Sequence, residues 1–166
     1  MNHKNVKVAM IGAGGCGKST IASRLVTGSF LDQTMTRGLN IDTWSIVDCE
    51  EEAVITAAIF DLGGQEQFRF FHEDLAQGAH MVMLVFDVSR FKTMLEIDEW
   101  LGLIEHIPKE KWILVGNKTD LNATIEESEI KAKAEELGIR YVLVSTKTGD
   151  NFEELASSVK RILRDT

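Results

Sequence analysis

Proline is almost missing: Pro108 is the one proline in 166 residues, so neither a proline-rich linker nor a compositional boundary divides the chain. Cysteine is as scarce. Cys16 and Cys49 are the two present, which excludes a disulfide framework and fits a reducing compartment, with the cytoplasm as the expectation. No apolar run approaches the ~18 residues of a membrane span, and the opening MNHKNVKVAM is broken by Lys7 and too short for a secretory signal. Position 2 is asparagine rather than the glycine that myristoylation needs, and the closing RDT holds no prenylation cysteine, so no lipid anchor is visible. Basic residues are outnumbered, 18 Lys and Arg against 26 Asp and Glu for a formal net charge of −8. A sequence-independent nucleic-acid binder needs a basic face and is therefore disfavoured. The length fits one domain over residues 1–166.

Glycine, by contrast, is concentrated. Gly12 to Ser19 reads GAGGCGKS, a match to GxxxxGKS. The β-branched, apolar Val6–Ile11 precedes it as a strand, and Ile21, Ala22, Leu25 and Val26 follow on one helical face. In a strand, glycine loop and helix of this kind, successive backbone N–H groups turn inward to form an anion nest, and the helix N-terminus adds unpaired donors and its positive dipole end. Gly14, Gly15, Cys16, Gly17, Lys18, Ser19 and Thr20 are the phosphate-binding candidates. At this spacing Lys18 neutralises terminal phosphates and the Ser19 hydroxyl ligates a bridging Mg²⁺.

The remaining pattern alternates strands with helices. Strands are expected at Asn40–Asp48 and Ala53–Phe60, joined as an antiparallel hairpin, then at Met81–Phe86, Trp112–Val115 and Tyr141–Val144. A short helix is expected after DLGGQ. Met94, Ile97, Leu101 and Ile104 suit one face of a further α-helix; Thr124 and Glu127 suit a capping box for the next, with Gly138 as its stop. Asp150 suits the N-cap of a closing helix whose stripe runs from Phe152 to Leu163. Such an order gives an α/β fold, a mostly parallel sheet covered on both faces, with ligands at the carboxyl ends of its strands.

Three further motifs fall at those ends. Asp61–Gln65 is DLGGQ: Asp61 can hold a metal or its water, the Gly64 N–H can meet a terminal phosphate, and the amide of Gln65 can orient an attacking water. Asn117, Lys118 and Asp120 form NKTD. A carboxylate there accepts two hydrogen bonds only from an edge with two adjacent donors, which guanine has and adenine lacks. Ser145, Thr146 and Lys147 follow the last strand, where a backbone N–H could meet the guanine O6 and the lysine stem could cover the base.

GAGGCGKS, DLGGQ, GNKTDL and STK, in this order from Lys4 to Leu163, resemble the nucleotide motifs of the Ras-like small GTPases. The resemblance implies a P-loop NTPase fold of six strands, one of them antiparallel, with about five helices. It implies bound GTP or GDP with Mg²⁺ held through Ser19, Asp61 and a first-switch threonine, and slow hydrolysis accelerated by a partner, with Gln65, Lys18 and Thr36 as the catalytic set. Thr34 and Thr36 are both candidates for that threonine, and TRGLN around Thr36 is the more similar to the family. An exchange factor, an activating protein and an effector would contact residues 30–44 and 61–78. Trp100–Leu101 looks Rab-like, Cys16 Rho-like, and TRGLNIDTW similar to Arf and Roc-type switches, a mixture that suggests a divergent or prokaryotic-type member. Arg37 or Arg69 could serve as an arginine finger in cis, and one of Phe68, Phe70 and Phe71 could anchor a partner. A nucleotide-bound scaffold with negligible hydrolysis is the alternative function.

Overall fold

The computed structural model describes residues 2–30, 39–62 and 76–166. The expectations placed on Thr34, Thr36, Arg37, Gly64, Gln65, Phe68, Arg69, Phe70 and Phe71 lie outside those residues. Six strands form one sheet in the order β2-β3-β1-β4-β5-β6: β1 (Asn2–Ile11), β2 (Leu39–Asp48), β3 (Ala53–Leu62), β4 (Met81–Asp87), β5 (Trp112–Asn117) and β6 (Arg140–Leu143). β2 and β3 pair antiparallel as the hairpin expected from the acidic turn between them, and every other pairing is parallel.

Side-chain alternation explains why the central strands read as unbroken apolar runs. On β4, Met81, Met83 and Val85 point into one core layer while Val82, Leu84 and Phe86 point into the other, all six fully buried. Helix α1 (Lys18–Thr27) and helix α4 (Phe152–Arg164) cover the first face, inserting Ile21, Leu25, Leu155, Val159 and Leu163. Each such side chain taken out of water contributes about 1.5–3 kcal/mol. The second face is covered by the short helix α2 (Phe91–Leu95), the 3₁₀ stretch Glu96–Leu103 and helix α3 (Glu127–Leu137). Four α-helices are present among the described residues; the expected helix after DLGGQ falls outside them.

Three local expectations are corrected. The α-helix through Met94 and Ile104 is one short α segment that tightens to 3₁₀ at Glu96. Met94, Ile97 and Trp100 recur every three residues and are all buried, which suits three residues per turn. Thr124 does not cap α3, whose N-cap is Glu126 with no side-chain cap hydrogen bond; the Thr124 N–H instead donates to the Val88 carbonyl at 2.9 Å. Asp150 is not the cap of α4 either. Asn151 holds that position in a left-handed conformation, its side-chain amide donating to the Leu143 carbonyl at 2.9 Å. Gly138 does stop α3, at φ 71°.

Strand register sets the site. Met10 pairs with both Asp61 and Met83, and Asp87 pairs with Asn117. The carboxyl ends of β1, β3, β4 and β5 therefore open onto one sheet edge, where parallel α/β sheets place ligands.

Candidate functional site

The glycine loop leaves β1 at Gly12 and enters α1 at Lys18. Gly12 passes so close to the Val85 carbonyl that a β-carbon would collide with it, and at Gly17 a β-carbon would collide with the Asn117 amide. Gly17 also sits at φ 93°, left-handed backbone that only glycine adopts readily. These two positions let β1 lie against β4 and let the loop lie against the end of β5.

Inside the loop, Lys18 is 5% exposed and its ammonium donates to the Gly12 and Ala13 carbonyls at 3.0 and 3.2 Å. An ammonium has three donors, so one remains for a ligand. Burial lowers the Lys18 pKa from its ordinary value, and the Asp61 carboxylate, 4.0 Å away, works against that shift. The Ser19 hydroxyl donates to the Asp61 carboxylate. Thr20 turns its hydroxyl back to the Gly17 carbonyl at 2.8 Å. Across the hairpin, Asp42 lies diagonal to Asp61, since Asn40 pairs with Asp61 and Asp42 with Ile59. Burial, and then the neighbouring charge of Asp61, raise the Asp42 pKa.

The second group of loops is built on Asn117, which is 2% exposed. Its side-chain amide donates to the Cys16 carbonyl at 3.0 Å, and its side-chain oxygen accepts from the Thr146 N–H and hydroxyl at 3.2 and 2.9 Å. One neutral side chain thus ties the glycine loop, the end of β5 and the loop after β6 together. The Ser145 hydroxyl donates to Asp120 at 2.7 Å and accepts the Thr148 N–H at 3.1 Å, so the exposed Asp120 is oriented while its carboxylate keeps further acceptor positions. Lys118 adopts φ 67°, a left-handed conformation unusual for a side-chain-bearing residue. Its ammonium donates to the Gly15 carbonyl at 2.7 Å and lies 3.5 Å from Asp87. Lys147 is exposed at the same edge.

Three residues without a motif complete the constellation. Arg24 of α1 donates to the Thr146 carbonyl at 2.8 Å and lies over the Phe152 ring. Asp87, at the end of β4, accepts from the Ser89 N–H and hydroxyl and from Arg90. Burial pushes its pKa up, but those hydrogen bonds and Lys118 outweigh it and hold the carboxyl below its ordinary value. Arg90 reaches the glycine loop itself, donating to the Gly14 carbonyl at 3.0 Å. Only the position of Asp87 at a strand's carboxyl end could have flagged this pair from sequence. Cys16 is fully buried, and burial raises its thiol pKa, so it packs as a small apolar side chain.

A glycine loop at the start of α1, a buried lysine at its end, and two flanking loops at the carboxyl edge of a mostly parallel sheet define a phosphate-loop nucleotide-binding domain. Known proteins narrow the class. The Ras family model matches residues 7–165. Ras-related protein RABD2b of Arabidopsis thaliana is 33% identical over 153 residues, covering 89% of this chain and 75% of the relative. GTP-binding protein YPTM2 of Zea mays is 31% identical over 163 residues, 93% of this chain and 79% of the relative. Ras-related protein Rab-1D of Dictyostelium discoideum is 30% identical over 166 residues, 96% of this chain and 79% of the relative. The chain belongs to the Ras family of small GTPases, and the Rab-like pair Trp100–Leu101 accords with the names of these relatives.

Proposed function

We propose that the chain is a guanine-nucleotide-dependent switch that binds GTP and GDP with Mg²⁺ and hydrolyses GTP to GDP and phosphate, slowly unless a partner accelerates it. The observation that carries the reading is Asn117 bonded at once to Cys16 and Thr146. This bond set holds a phosphate loop and a base loop in one fixed relation, as a nucleoside polyphosphate requires.

In this reading, the loop N–H groups and the third donor of Lys18 hold the β- and γ-phosphates. Asp120 accepts the N1–H and exocyclic amine of guanine, the Ser145–Lys147 loop meets O6, and the stems of Lys118 and Lys147 cover the base. The donor set suits Mg²⁺: a buried hydroxyl and carboxylate, Ser19 and Asp61, lie in contact. Mg²⁺ takes few protein oxygens and completes its shell with water and substrate phosphate. When bound it supplies charge neutralisation at the phosphates. Thr36 would join Ser19 and Asp61 in holding the metal or its water, Gly64 would meet the γ-phosphate through its N–H, and Gln65 would orient the water that attacks the γ-phosphorus while Lys18 steadies the developing charge.

The partners this implies are an exchange factor, an activating protein and an effector meeting residues 30–44 and 61–78, with peripheral membrane association through such partners. No helix among the described residues is long and apolar enough to cross a membrane. Two measurements test the reading. Native mass spectrometry of the purified protein should show bound GDP, and finding ADP in its place would overturn the guanine assignment. Phosphate release from GTP should exceed that of Gln65→Leu; equal release would leave a nucleotide-bound scaffold as the function.

A further inference from the structure

Three consecutive carbonyls of the glycine loop are each held by a side chain from outside the loop. The Gly14 carbonyl accepts from Arg90 at 3.0 Å, the Gly15 carbonyl from Lys118 at 2.7 Å, and the Cys16 carbonyl from Asn117 at 3.0 Å. A trans peptide is planar with its C=O and N–H on opposite sides. Drawing those three oxygens toward the outside therefore turns the N–H groups of Gly15, Cys16 and Gly17 the other way, toward the nest. The second and third holds come from the NKTD motif. The first comes from an arginine in no motif.

Arg90 is built into place. Its Nε donates to Asp87 at 3.1 Å, its backbone N–H donates to the Asp87 carbonyl at 3.0 Å, and its Nη2 also lies 3.7 Å from the Cys16 sulfur. A β-carbon on Gly15 would lie 3.3 Å from the same Nη2. The guanidinium binds the carboxylate and the carbonyl through separate nitrogens of one rigid plane, a fixed geometry that the single ammonium of a lysine does not reproduce. Asp87 serves both cations, with Lys118 3.5 Å from the oxygen that Arg90 uses. The Arg90 side chain is 47% exposed, so its removal opens no core cavity.

We propose that Arg90 is a positioning residue of the phosphate site: it fixes the Gly14–Gly15 peptide so that the Gly15 N–H is preset for the β-phosphate, and it thereby prolongs nucleotide residence. This rests on the guanine-nucleotide reading above and extends it to a residue with no direct hold on the base.

The test compares wild type, Arg90→Ala and Arg90→Lys, matched for melting temperature, by release of fluorescent GDP and by calorimetric affinity for GDP and GMP. The expected result for Arg90→Ala is GDP release faster by about tenfold, the scale of one charge-assisted hydrogen bond at a half-exposed site, with Arg90→Lys between the two. GMP has no β-phosphate, so its affinity stays within about twofold. Unchanged GDP release in Arg90→Ala overturns the proposal, and so does an equal loss for GDP and GMP, which would mark a general structural defect. A wild-type chain that binds neither nucleotide would sink the guanine reading instead. The positioning role is then judged by amide hydrogen exchange of residues 14–18 in nucleotide-free protein, where exchange in Arg90→Ala no faster than in wild type overturns it.

Discussion

The two ends of the site are held by different physics. At the base end, the buried Asn117 and Thr146 are neutral groups bonded to each other and to the Cys16 carbonyl, and the charge at that end, Asp120, is exposed to solvent with the Ser145 hydroxyl donating to it. At the phosphate end, Lys18 and Asp61 are charged, almost fully buried and 4.0 Å apart, with Asp42 diagonal to the carboxylate. A neutral network holds its shape over a wide range of salt and pH, whereas a buried charge cluster is sensitive to whatever joins or leaves it. The base end supplies constant geometry. The phosphate end supplies a response to the charge of its ligand.

Substitutions can break or sharpen that contrast. Lys18→Ala should have the largest effect, lowering GDP affinity by about a hundredfold to a thousandfold, because it leaves Asp61 buried beside the phosphates without its cation; calorimetry would show it. If Lys18→Ala lost no more than a base-end variant, the charge-dominated view of the phosphate end would be wrong. Asp120→Asn should lower GDP affinity by about tenfold to a hundredfold. It should also raise affinity for xanthosine diphosphate, whose C2 carbonyl accepts from the new amide, and competition binding with both nucleotides tests the exchange.

Smaller effects are expected on stability. Asp87→Asn should cost about 1.5–3 kcal/mol at pH 7, the scale of hydrogen bonds to a charged group. Since the folded-state pKa of Asp87 lies below its ordinary value, this stabilisation is present above the unfolded-state value of about 3.9 and is lost as pH falls through the folded-state value. Denaturant curves of wild type and variant should therefore converge in strong acid. Convergence already at pH 6 would show that the ion pairs contribute nothing. Thr146→Ala removes one buried hydroxyl from Asn117 and should cost about 0.5–1.5 kcal/mol, with no more pH dependence than wild type between pH 5 and 9, since both partners of that bond are neutral. Asp42→Asn should give the smallest change and the opposite sign. It relieves repulsion with Asp61 and should raise the melting temperature of nucleotide-free protein by about 1 to 3 °C; a fall would mean that Asp42 is stabilised by something other than its charge.

Much of this arrangement is legible in the sequence, because apolar runs and glycine signals act locally. The run MVMLVF has the length and composition of a strand buried on both faces, and GAGGCGKS carries its own strand and helix. Other features depend on what lies across the fold. Met94, Ile97, Leu101 and Ile104 suit an α-helix as well as Met94, Ile97 and Trp100 suit a 3₁₀ segment, and the choice between them is made by packing. Thr124 looks like a cap until Val88, 36 residues away in sequence, takes its N–H. Arg90 and Asp87 form no motif at all; they acquire a role through the Gly14 carbonyl, supplied by the other side of the sheet edge. Thr36 and Gln65 stand as sequence readings, outside the described residues.

The close fit of the Asn117 amide against Gly17 has a consequence for how this site can be varied. Position 17 has no room for a β-carbon while position 117 is asparagine, and shortening position 117 alone removes the bonds to Cys16 and Thr146. In mutational terms the constraint runs one way: position 117 is held by its two bonds, whereas position 17 is held by the Asn117 amide, by the Thr20 hydroxyl and by its own φ of 93°. A library that randomises both loops together should therefore still return glycine at position 17, even where position 117 has changed.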